Sequence, residues 1–127
     1  MAHGATRVVH AWMCYPGFAY PSNPVPGCQA LVKLQCVGSE VPDGVIRDCC
    51  QQVAKIRDWC RCPAILTMMY SMYKELGVQE GHAAREMFSG CRRKVMLLTV
   101  ASIPAVCKLP IVLDASAQRA YVCNSSE

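Results

Sequence analysis

Ten of the 127 residues are cysteine. Three chemistries are open to such a set: metal ligation, thiol redox work and disulfide formation. Metal sites draw on Cys-x-x-Cys pairs or interleaved histidines. This chain has no Cys-x-x-Cys, and His3, His10 and His82 are scattered. Redox thiols also favour Cys-x-x-Cys with a lowered pKa. The nearest pattern is Cys60-Arg61-Cys62, which reads better as a structural position. An even count of cysteines fits a disulfide framework made in an oxidising compartment.

Four of the cysteines crowd into one stretch: Cys49-Cys50, then Cys60 and Cys62, with nine residues between the pairs. Adjacent cysteines resist bonding to each other because the small ring they would close is strained. On a helix their side chains point about 100° apart. Each of the four must then anchor a different segment, so the stretch is a hub. The sequence leaves the pairing open, since connectivities multiply steeply with cysteine number.

Other chemistry is thin. No G-x-S-x-G occurs and the three histidines are unclustered, so a triad hydrolase is not expected. Arg92-Arg93-Lys94 follows Cys91 and reads either as an anion patch or as a solvated face. The second is favoured, because no aromatic interleaves to stack bases. A net charge of +4 is too small to argue for nucleic acid. Asn124-Ser125-Ser126 is an N-glycosylation acceptor pattern.

The elements that would position the cysteines follow from periodicity. Met1 to Gly27 holds four of the eight prolines, which fix φ and remove donors, so it reads as extended or turning chain. Cys28, Leu31, Val32 and Cys36 share one helical face. Val37 to Val41 is a loop, and Pro42 opens the clearest amphipathic helix, with Val45, Ile46, Cys49, Cys50, Val53 and Ile56 on one side. Cys60 to Leu76 is a third helix, with Ile65, Met68, Met69, Met72, Tyr73 and Leu76 as its stripe and Gly77 as its cap. A methionine stripe serves either a core or an adaptable groove; core is the preferred reading. Gln79 to Ser89 reads as loop, Gly90 to Val106 as a fourth helix that Pro104 bends or ends, and Leu109 to Glu127 as mainly irregular. The apolar run Val95 to Cys107 is shorter than the ~20 residues a membrane span needs. Met1 to His10 lacks the apolar core of a secretory signal. Residues 1–10 read as a flexible extension before one domain at 11–127. The expected fold is all-α: four helices, long loops and a disulfide framework.

The cysteine order and several intervening words resemble the cereal-type α-amylase/trypsin inhibitors of grass seeds, in the prolamin superfamily. Trp12-Met13-Cys14-Tyr15-Pro16-Gly17, Arg47-Asp48-Cys49-Cys50-Gln51-Gln52, Trp59-Cys60-Arg61-Cys62, Ser71-Met72-Tyr73-Lys74-Glu75, Leu109-Pro110-Ile111-Val112 and Asp114-Ala115-Ser116 look like the wheat and barley α-amylase inhibitors. The resemblance implies a right-handed four-helix bundle with five disulfides: Cys14–Cys60, Cys28–Cys49, Cys36–Cys91, Cys50–Cys107 and Cys62–Cys123. It implies a secreted seed-endosperm protein, monomer or homodimer, that needs no cofactor and blocks the cleft of an insect or animal α-amylase. Neither nucleic acid nor a membrane is expected as a partner. The target-contacting residues carried over are Ala11, Trp12, Met13, Tyr15, Pro16, Arg57, Asp58, Trp59, Asp114, Ala115 and Ser116. Trp12 has a second reading, packing on the disulfide core.

Trypsin-inhibiting members present an arginine between the third and fourth cysteines. The matching loop here, Val37 to Asp43, holds Glu40 and Asp43 and no Lys or Arg, so trypsin inhibition is not expected. Thirteen residues precede Cys14, more than in mature relatives, and if a free terminal amine must reach the target's carboxylates, Met1 to Val9 would obstruct it. Two readings follow: Arg7 or His10 stands in as the cation, or these residues are foreign or trimmed. Two rival functions share the skeleton: a lipid-binding module, and a storage protein or allergen without inhibitory activity.

Overall fold

The computed structural model describes residues 14–77, 86–112 and 119–123. Helix α1 spans Gly27–Cys36, α2 Asp43–Ala54, α3 Arg61–Leu76, α4 Arg93–Ala101 and α5 Ile103–Cys107. A 3-10 turn at Asp58–Cys60 leads into α3. Two small antiparallel pairs complete the description. Strand β1 (Glu86–Phe88) pairs with β2 (Cys91–Arg92), and β3 (Ile111–Val112) pairs with β4 (Arg119–Ala120). With α5 as the broken continuation of α4, the fold is a four-helix bundle.

Helix α1 lies at the centre, packed on α2, α3 and α4. It buries Cys28, Leu31, Val32 and Cys36, the face its spacing predicts. Its N-terminus has no side-chain cap of its own. The cap comes from α2: Gln52 Oε1 accepts the Gly27 N–H at 2.8 Å, while Gln52 Nε2 donates to Asp48 Oδ1 at 3.4 Å. Gly27 leaves the room for this, because a Cβ there would collide with the Asp48 carboxylate.

Helix α3 opens with Pro63 in its first turn, where a missing N–H costs nothing. It ends on Gly77 in the left-handed region, φ 74°. Ile65, Met68, Met69 and Met72 have no exposed surface, so the methionine stripe is core. Met96 and Ile103 reach the same core from α4 and α5.

The fourth helix is shorter than expected. Cys91 and Arg92 pair with β1 instead of joining it, after a turn at Gly90 with φ 85°. It breaks at Ser102, because Pro104 has no N–H and its ring would clash with the carbonyl of Val100. The two regions read as loop or irregular chain also contain short strands. Each pair is too short to leave an alternating pattern in the sequence.

Replacing Gln52 with Ala removes the cap on α1. It is expected to lower stability by about 1 kcal/mol, the usual worth of a helix cap. A shift of the denaturant midpoint with an unchanged slope would show it.

Candidate functional site

Among the described residues, ten cysteines form five disulfides: Cys14–Cys60, Cys28–Cys49, Cys36–Cys91, Cys50–Cys107 and Cys62–Cys123. The first brings the segment after Cys14 onto the corner that precedes α3, with Cα atoms 5.3 Å apart. The Cys14 sulfur lies 3.6 Å from the Trp59 carbonyl oxygen.

Residues 15–20 form a tight reversal on this anchor. Phe18 and Ala19 donate their N–H groups to the Tyr15 carbonyl, at 3.1 and 3.0 Å. Gly17 donates to Tyr20 and takes φ 82°, a conformation that other residues rarely adopt. Tyr20 turns back into the bundle. Its hydroxyl donates to the Cys14 carbonyl at 3.1 Å and lies 3.3 Å from Thr67 Oγ1. Burial raises the phenol's pKa above its ordinary 10.0, and the Thr67 hydrogen bond opposes that shift. The result is a rigid loop with its aromatics outside: Tyr15 is 56% exposed and Phe18 78%.

The neighbouring corner is Arg57-Asp58-Trp59. The exposed Arg57 guanidinium stands over the half-buried Trp59 ring, 5.4 Å from its centroid. That is a cation–π distance. Arg61 locks the corner to the C-terminal segment: Nε donates to the Ile56 carbonyl at 3.0 Å and Nη1 to the Pro110 carbonyl at 2.6 Å. Strand β3 packs against the 58–60 turn, and the Cys123 N–H donates to the Ala101 carbonyl at 2.8 Å. Beside Cys123, Tyr121 and Val122 are exposed.

Of the sequence-predicted target residues, the structure thus brings Tyr15, Pro16, Arg57, Asp58 and Trp59 to one side of the bundle. Ala11, Trp12, Met13, Asp114, Ala115 and Ser116 lie outside the described residues, as does Asn124. Two features were missed in the sequence. Phe18 carries no periodic signal, though an aromatic beside a Pro-Gly turn was a clue. Arg61 sits inside a quoted word, but its two carbonyl partners are 5 and 49 residues away.

A sequence model described as the protease inhibitor/seed storage/LTP family matches residues 14–123, from the first cysteine to the last. The chain belongs to that family. It is 59% identical over 113 residues to "Alpha-amylase inhibitor 0.19" of Triticum aestivum, covering 89% of this chain and 91% of that protein. It is 46% identical over 116 residues to "Seed allergenic protein RA5" of Oryza sativa subsp. japonica, covering 86% of this chain and 72% of that one. The structure of the 0.19 α-amylase inhibitor from wheat matches with a TM-score of 0.77 at 55% identity, covering 87% of this chain and 92% of that one. The family's four-helix, disulfide-linked architecture is therefore the fold of this chain.

The Tyr20 anchor has a signed pH consequence. A phenol whose folded pKa is raised contributes stability that is complete below pH 10.0 and is lost as pH rises through the raised value. Tyr20→Phe is expected to cost about 1 kcal/mol near neutral pH, from the lost hydrogen bond. The variant should also decline less steeply than the parent above pH 10.0. Denaturant unfolding of both proteins across that range measures the difference.

Proposed function

We propose that this chain is a secreted seed protein that inhibits α-amylases of insects or animals by occupying the substrate cleft. As a member of an inhibitor and storage family it is not an enzyme. The observation that carries the reading is the rigid 15–20 loop, with exposed Tyr15 and Phe18, held beside Arg57 and Trp59 by the Cys14–Cys60 disulfide. A glycoside hydrolase cleft presents paired carboxylates between its sugar-binding walls. Aromatics on a preorganised loop supply contact area at low entropic cost, and a nearby cation complements the carboxylates. Ala11, Trp12 and Met13 would extend the wedge from the N-terminal side, and Asp114, Ala115 and Ser116 would flank it.

Two alternatives carry less. A lipid-transfer role needs an internal tunnel, whereas Leu31, Ile65, Met68, Met69 and Met72 are fully buried on the inner faces. A purely storage or allergenic role agrees with the rice relative's name and is separated by the inhibition assay itself.

The test is a panel of insect, mammalian and plant α-amylases titrated with the purified protein. Inhibition of at least one animal enzyme is expected, and its absence throughout would sink the proposal. Phe18→Ser should weaken inhibition about ten-fold, as for a central aromatic contact, with helix content unchanged. Reduction of the disulfides should abolish inhibition along with the fold. Trypsin should be unaffected, because the 37–43 loop offers Glu40 and Asp43 to an anionic specificity pocket.

A further inference from the structure

The charge of this chain is unevenly placed. Residues 87–113 contain Arg92, Arg93, Lys94 and Lys108 and no Asp or Glu. The nine other Lys and Arg equal the nine Asp and Glu, so the whole net charge of +4 lies on this one segment. Its four cations stand on β2, on α4 and directly after α5. Three of its cations stand at the start of α4, which has no acidic residue in its first turn. Cations at a helix N-terminus oppose the helix dipole. Glu86 is the register partner of Arg92 across β1–β2.

The same helix exposes apolar side chains. Leu98 is 69% exposed and Val95 37%, one turn apart. Ser102 follows four residues after Leu98, and its hydroxyl donates to the Leu98 carbonyl at 2.7 Å, so it turns onto the backbone. Ala105 is exposed beyond it. The outer ridge of α4 and α5 therefore runs uncharged from Val95 to Ala105, with exposed Lys94 at one end and exposed Lys108 at the other.

We propose that this ridge is a docking face for an anionic lipid surface. A short apolar ridge enters the boundary between headgroups and acyl chains, and flanking lysines reach back to the anionic headgroups. Neither part suffices alone, since stable peripheral binding takes two signals. The contact is peripheral: no helix among the described residues is long and apolar enough to cross a membrane. Nucleic acid fits less well, because the ridge has no aromatic for stacking bases. The sequence alone favoured a solvated face and no membrane partner; the exposure of Val95 and Leu98 beside the cations is what changes that reading.

The test is co-sedimentation of the full chain with vesicles of equal phosphatidylglycerol and phosphatidylcholine, against phosphatidylcholine alone. Binding to the anionic vesicles is expected, with little to the neutral ones and several-fold less at high salt. Leu98→Asp should reduce partitioning about ten-fold. Lys94→Gln should reduce it about five-fold, the worth of one cation near such a surface. Both positions are exposed, so helix content and amylase inhibition should match the parent, which keeps this idea separable from the proposed inhibition. No adsorption to anionic vesicles, equal adsorption to neutral ones, unchanged partitioning in both variants, or retention on a sulfated polysaccharide alone would each overturn it.

Discussion

Everything in this molecule depends on a constraint between neighbouring sulfurs. Cys49 and Cys50 resist bonding to each other because the ring would be strained, and helical geometry turns them apart. Cys49 reaches back to Cys28, and Cys50 reaches forward to Cys107. The second pair repeats the division: Cys60 reaches back to Cys14 and Cys62 forward to Cys123. One short stretch thereby draws in both ends of the described chain. The closed loops run from 21 to 61 residues. In the chain-entropy picture each alone restricts the unfolded state by about 3 to 4 kcal/mol. The loops overlap, so these figures do not add.

The hub is chemically inert, and what it supplies is position. A reversal rich in proline and glycine would sample many conformations if it were tethered only by its backbone. Here Cys14 is bonded to Cys60, and Tyr20 closes the other side by donating to the Cys14 carbonyl from within the core. Between them Gly17 takes the turn that other residues resist. The backbone that carries the exposed aromatics is thereby fixed, which lowers the ordering cost of binding. Arg61 extends the same rigidity to β3, because its planar fork reaches two carbonyls at once. A lysine could not make both bonds in that geometry.

The two surfaces draw on different physics. The 15–20 loop and the Arg57–Trp59 corner offer shaped aromatic contact beside a single cation, suited to a cleft with defined walls. The ridge of α4 and α5 offers exposed aliphatics, Val95 and Leu98, on an uncharged stretch between lysines, suited to a surface without fixed shape. Both are built on the same core of Leu31, Ile65, Met68, Met69, Met72 and Met96, whose burial leaves the outer faces free to differ.

The three helices between Gly27 and Leu76 were legible in the residues alone, because a 3.6-residue apolar period is local and strong in each. The sequence also determined that the hub cysteines must diverge, and its words carried the family likeness from which the pairing was inferred. It could not place β1–β2 or β3–β4, since strands of two or three residues leave no period to read. Nor could it show where the fourth helix begins, because Cys91 and Arg92 are held by a partner strand rather than by their own propensity. Which apolar residues stay outside was settled by packing. Phe18, Val95 and Leu98 have the same chemistry as core residues. Only the packing of α4 on α1 and α3, and the direction in which Tyr20 folds inward, leave them facing water.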